Sequence, residues 1–249
     1  MAERRIYEAP PIREAICEFR FAGTAQWSIR AQLAIAEAVS GDYHGEPELR
    51  FQAGFDVAAP TGPVGIHVKE PVLQLQFSNA TDTRKLLVGP TSLSVHVHRP
   101  YKSWEEYRPF IKSAAEGYQS VFNPTGVARI GLRYINEMTI PQQDVVISEF
   151  LNGIPEYAEP LSRIITTGFV ARLEGIEPDS QARIIQTIGR SPAADGQIGL
   201  VLDIDAIKEW PTDLPTIKDA LAHLDGLRDL EREVFESTIT DKLRSTFDD

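Results

Sequence analysis

The sequence predicts an α+β fold, with antiparallel sheet carrying its helices on one face. Three observations predict it. Several segments alternate apolar and polar residues with a period of two, as a strand with one buried face requires. These segments come in runs of three or four between single long helical stretches, whereas a parallel sheet would alternate strand with helix. The order β-α-β-β-β-(β)-α is read twice, over residues 10–124 and 125–249, after a flexible arm at 1–9. The halves share this order without residue identity, so a saddle-like pseudo-duplication rests on element order alone, and one continuous domain is the other division.

The elements follow in order. Pro10-Pro11 blocks helix and extends the backbone. Arg13 to Phe21 then alternates, with Ala15, Cys17, Phe19 and Phe21 on one side and Glu14, Glu18 and Arg20 on the other. Thr24 is placed to cap a helix over about Ala25 to Val39, in which Trp27, Ala31, Ile35 and Ala38 fall at helical spacing. After a loop at Ser40 to Pro47, alternating runs at Glu48–Phe55, Val64–Lys69, Pro71–Ser78, Arg84–Val88 and Ser92–His98 read as an antiparallel meander. Asn79 to Thr83 and Gly89-Pro90 supply the turns. Ser103-Trp104-Glu105-Glu106 is a capping box that opens a helix to about Phe122, with a kink expected at Pro109.

The stretch from Val127 to Pro141, V-A-R-I-G-L-R-Y-I-N-E-M-T-I-P, organises the chain: Ile130, Leu132 and Tyr134 face one way, Arg129, Gly131 and Arg133 the other. A short helix at Val145–Leu151 follows, then strands near Ser162–Leu173, Ala182–Ile188 and Ile198–Ile204, with a hairpin signal at Asp195-Gly196. A long helix from about Leu214 closes the chain on a stripe of Leu221, Leu224, Leu227, Leu230 and Val234. Gly226 and Ser237–Thr240 are the places where it would bend or break. A stripe longer than a sheet is wide makes its end a candidate for self-association.

Composition narrows the function. With 36 acidic against 25 basic residues, net charge −11, the chain is poorly suited to neutralising phosphate, so nucleic acid is an unlikely partner. The lone Cys17 excludes an intramolecular disulfide and any cysteine-based zinc site, and the polar opening M-A-E-R-R-I-Y-E is no secretory leader; the expected location is the cytoplasm. No apolar run approaches the ~18–20 residues that cross a bilayer, so no membrane role is expected. Walker A, G-x-G-x-x-G, G-x-S-x-G and H-E-x-x-H motifs are all missing, and neither catalytic residues nor a cofactor is expected.

Two resemblances follow. Pro10-Pro11-Ile12-x-Glu14-Ala15 with Phe19 and Phe21, the strand Arg129–Asn136 (R-I-G-L-R-Y-I-N) and the closing Val234–Asp241 resemble a sporadically distributed bacterial family of about this length. That family has no established activity; its patchy distribution implies an accessory protein of the kind found in defence and toxin–antitoxin modules. The doubled element order also looks like the saddle of the TATA-binding protein, an analogy of fold that carries no function.

The candidate surface is the polar side of the sheet: Glu14, Glu18, Arg20, Gln74, Gln76, Ser94, His96, His98, Arg129, Arg133, Asp203 and Arg172. Arg129 and Arg133, ~13 Å apart along a strand, could grip a small anionic ligand bidentately; the same residues equally fit a wet face with cross-strand ion pairs such as Arg133 with Glu18. His96-x-His98 puts two imidazoles on one side, which is two metal ligands without a third, so no metal is expected; His67 falls on a nearby strand. Tyr134 and Asn136 could present a phenol and an amide at the sheet rim, or the tyrosine could be core. Cys17 belongs to the apolar side. The leading expectation is a binding protein acting through this face or through its last helix on a protein partner; the alternative is a receptor or enzyme for an anionic ligand.

Overall fold

The computed structural model describes residues 7–23, 26–52, 55–57, 66–68, 72–140, 146–153, 170–194 and 197–247. Thr24, the Asp195-Gly196 hairpin signal and the stretch Ser162–Phe169 of an expected strand lie outside the described residues, as does the His67 side chain.

The first half runs β1 (Ile12–Phe21), α1 (Ile29–Val39), β2 (Glu48–Gln52), β3 (Phe55–Val57), β4 (Ile66–Val68), β5 (Val72–Ser78), β6 (Arg84–Val88), β7 (Ser92–His98) and α2 (Trp104–Phe122). The second runs β8 (Val127–Ile140), a 3-10 turn (Ile147–Glu149), β9 (Val170–Ile176), β10 (Arg183–Ser191), β11 (Ile198–Glu209), α3 (Ile217–Leu221), α4 (Leu224–Thr238) and α5 (Asp241–Arg244). Among the described residues nine strands form one antiparallel sheet in the order β2-β5-β6-β7-β1-β8-β11-β10-β9, and β3 pairs with β4. Each half lays its first strand beside its last, and the two first strands, β1 and β8, pair at the centre.

The alternation decides the layers. Ala15, Cys17 and Phe19 of β1, Ile130, Leu132 and Tyr134 of β8, and Leu200, Leu202 and Ile204 of β11 are all fully buried beneath the helices. Burial contributes about 2 kcal/mol for each large apolar side chain, which is what fixes the register against a one-residue slip. Beneath the helices lie two adjoining cores, one holding β1, β7 and α2 residues and the other Leu200, Leu202, Phe235 and Leu243. Cys17 is buried in the first, and burial holds its thiol well above the ordinary range.

Boundaries moved where side chains offered a better cap. α1 starts at Ile29 because the Ser28 hydroxyl accepts from the Ala31 amide. Ser103 accepts from the Glu106 amide at the head of α2, as the capping box requires. Pro109 sits in the second turn of α2. The expected single closing helix is three. It breaks first at Ala222-His223, while Gly226 lies inside α4. It breaks again at Ile239, which is extended, and Thr240 then caps α5 by accepting from Leu243. The arm is not wholly loose: Ala9 N donates to Phe247 O, and Tyr7 packs edge-on against Phe235 and Phe247.

Candidate functional site

Glu18, Arg20, His96, His98, Arg129 and Arg133 of the candidate surface meet on the face away from the helices. One row of aligned residues crosses it as Gln76, Leu87, Ser94, Glu18, Gly131, Ile207 and Arg183. Within it the charges are matched. Arg129 Nη1 donates to Glu18 Oε1 at 2.5 Å, and its Nη2 to Asp205 Oδ2 at 3.1 Å. Arg20 holds the same Glu18 through two bonds, of 2.9 and 3.1 Å. Arg133 forks onto Asp203 at 2.7 and 2.5 Å; the partner expected for it, Glu18, belongs instead to Arg129 and Arg20. His96 Nδ1 lies 2.8 Å from Glu14 Oε1, and that bond holds the Glu14 carboxyl below its ordinary range. Burial raises Asp205, against the pull of Arg129 and Arg133.

Gly131 explains how this network lies so flat. A Cβ there would stand 3.0 Å from Arg129 Nη2 and 3.1 Å from Asp205 Oδ1. The guanidinium therefore folds over the glycine to reach both carboxylates. Arg133 keeps 44% of its side chain exposed and Arg129 only 19%. Both guanidinium groups are already held by acids of the same face. His98 Nε2 is buried and meets no partner. Among the described residues no group of three His, Cys, Asp or Glu side chains could hold a metal ion.

Asn136, expected at the sheet rim, faces the other way. It is buried beneath the helices and its Nδ2 donates to Leu202 O. A register shift in the β1–β8 pairing aligns it with Ile12. There it joins a cleft of ≈ 740 Å3 between the arm, the start of α2 and α4. This is the size range of small-molecule sites. Tyr7, Pro11, Tyr101, Trp104, Pro109 and Phe235 give it apolar walls, and Lys102, Arg108, Arg228, Arg232 and five acids give it charge.

The acids are spoken for. Asp225 accepts from Trp104 Nε1 at 2.9 Å and lies 3.2 Å from Arg108 Nε. Glu236 accepts from the Tyr7 hydroxyl at 2.7 and 2.9 Å and from Arg244 Nε at 3.0 Å. Burial, with Glu236 beside it, pushes the Tyr7 phenol up to about 12.

Glu231 is the unusual member. It is 3% exposed, in the middle of the buried stripe of α4 (Leu224, Leu227, Glu231, Phe235, Thr238). Arg228 Nη1 donates to its Oε2 at 2.7 Å. Desolvation nevertheless outweighs Arg228 and Arg232 and pushes its carboxyl up to about 7. The Arg228 guanidinium lies 4.8 Å from the centre of the Tyr134 ring, and its Nε is buried without an acceptor. The Tyr134 hydroxyl is 3.1 Å from that of Tyr101, so Tyr134 is a core residue with its polar end satisfied.

Sequence reading missed this cleft, although one signal was present. Glu231 is four residues after Leu227 and four before Phe235, a charge in the slot where the apolar stripe should continue. No helix among the described residues is long and apolar enough to cross a membrane. No family model matches the chain, and no curated protein matches it.

Proposed function

We propose that this is a binding protein for a small organic anion, taken up in the cleft between the start of α2 and α4. The observation that carries the reading is the Arg228–Glu231 pair. A half-buried guanidinium keeps one donor, its Nε, without an acceptor in a cleft of ligand size, and its counter-charge is a carboxyl poised near neutrality. When Glu231 holds a proton, the positive charge of Arg228 has no ionised partner in this pair. An acid group of a ligand then supplies the missing acceptor, while Tyr101, Trp104 and Phe235 cover an apolar body. The amino end of α2, at Ser103 and Trp104, borders the same cleft and favours negative charge. The open sheet face supports such a role less well, because Arg129 and Arg133 are already held by Glu18, Asp203 and Asp205.

A thermal-shift panel of citrate, aromatic carboxylates, inorganic phosphate and nucleoside monophosphates tests this at pH 6 and pH 8. The expected result is a stabilising compound with a larger shift at pH 6. Arg228→Gln abolishes that shift and Arg133→Ala keeps it. A panel silent at millimolar concentration, or a hit lost in Arg133→Ala and kept in Arg228→Gln, overturns the reading.

A further inference from the structure

Strand β9 ends the sheet, and among the described residues nothing pairs with its outer edge. Natural edges are blunted by charge, proline or a cover, because a bare one is a template for another strand. This edge carries Val170 at 78% exposure, Leu173 at 52% and Ile176 at 64%. Such side chains on an edge that no described residue pairs call for a partner.

The order of residues along β9 says which partner. V-A-R-L-E-G-I is self-complementary about Leu173. A second β9 running antiparallel, related by a two-fold axis through Leu173, sets Val170 against Ile176, Ala171 against Gly175 and Arg172 against Glu174, each pair formed twice. Paired residues of antiparallel strands lie on the same side of the sheet. Arg172 aligns with Thr187 and Asp203 and Glu174 with Ile185 and Asp205, so both belong to the open face, while Leu173 aligns with Gln186 on the helix side. Moving the axis by one residue puts Arg172 against Arg172 or Glu174 against Glu174, which like-charge repulsion disfavours. Only the register centred on Leu173 joins apolar to apolar and positive to negative.

We infer that the protein forms a symmetric dimer through β9, with a second copy of the chain continuing the nine-stranded sheet across a two-fold axis at Leu173. The charge pair Arg172–Glu174 sets the register, with Glu174 also accepting from Arg183 Nη1 of its own chain at 2.9 Å, and the apolar pairs add contact. One strand edge buries less than a typical obligate interface, so the dimer forms with moderate affinity.

Sedimentation equilibrium of the full chain tests this. The wild type forms dimers at tens of micromolar, on the order expected of a small interface. Arg172→Glu weakens dimerisation by about tenfold or more, since it sets an acid opposite each of the two Glu174 side chains. Arg172→Glu combined with Glu174→Arg restores it, because the exchanged charges face each other again. Far-ultraviolet circular dichroism and melting confirm that each variant folds. Leu173→Cys, under mild oxidation, gives a covalent dimer, since residues paired across the axis fall within disulfide reach. Arg172→Cys, offset from its own copy, does not. The native Cys17 is buried and does not compete. A monomeric wild type, a dimer indifferent to Arg172→Glu, or equal cross-linking from both cysteine variants overturns the inference.

Discussion

The two faces of the central sheet both carry ion pairs, and they treat charge differently. On the open face Glu18, Asp203 and Asp205 answer Arg20, Arg129 and Arg133 within reach of water. On the helix face Glu231 has Arg228 at 2.7 Å and is still pushed up to about 7. Pairing distance is similar, so it is not what separates them. Water is: a carboxylate on the open face keeps part of its hydration, though burial raises even Asp205 there, whereas Glu231 gives up nearly all of it and one guanidinium does not make good the loss. Charge near solvent can be arranged for structure at little expense. Charge placed in a stripe of leucines costs stability, and that is where a role in binding is worth seeking.

Removing one partner from each region breaks the comparison most sharply. Arg228→Ala strands a buried acid and is expected to cost about 3–5 kcal/mol at pH 8. At pH 5 the protonated acid needs no counter-ion and the cost shrinks to lost contact with Tyr134. Arg133→Ala, on the open face, should cost about 1 kcal/mol or less at either pH. Urea denaturation of both variants at the two pH values gives the contrast directly.

Next in size is the pH dependence of the wild type. A folded carboxyl raised from 4.5 to about 7 binds its proton more tightly than the unfolded chain does. Its contribution to stability is therefore greatest below pH 4.5 and is lost as pH rises toward 7. The loss is on the order of 3 kcal/mol. Glu231→Gln should remove that slope, so the difference between the two denaturation series isolates this group from all others.

Smaller effects sharpen the open-face side. Gly131→Ala puts a methyl 3.0 Å from Arg129 Nη2, so the guanidinium must shift slightly on its two carboxylates, and should cost about 1 kcal/mol. In an Arg129→Ala background the added methyl should be nearly neutral, and a double-mutant cycle that finds the costs additive would refute the account of Gly131. Smallest of all, His96→Gln should return the Glu14 carboxyl toward its ordinary range, seen by NMR titration, with a stability change of about 1 kcal/mol or less.

The reach of the sequence can be read from particular residues. Arg129, Gly131 and Arg133 were placed on the open face and Ile130, Leu132 and Tyr134 under the helices by alternation alone, and the structure has them so. Alternation puts Asn136 on the side of Tyr134, and the structure has it there. Its apparent place at the sheet rim gave way to burial against Leu202. The partner of Arg133 was beyond reach, because Asp203 lies 70 positions away in the chain. Of the two breaks in the closing helix, the one at Ile239 falls within Ser237–Thr240, where the sequence places it, and the one at Ala222-His223 does not fall at Gly226.

Local rules thus decided which residues form strands, which side each one faces and where Ser103 starts a helix, because side-chain period and cap chemistry act over a few neighbours. Tertiary structure alone decided the strand order, the choice of Asp203 for Arg133, and the closing of α4 over Glu231 beside the arm. Those depend on contacts between segments far apart in the chain, where burial and register, summed over the whole sheet, select one pairing among several that the local pattern permits equally.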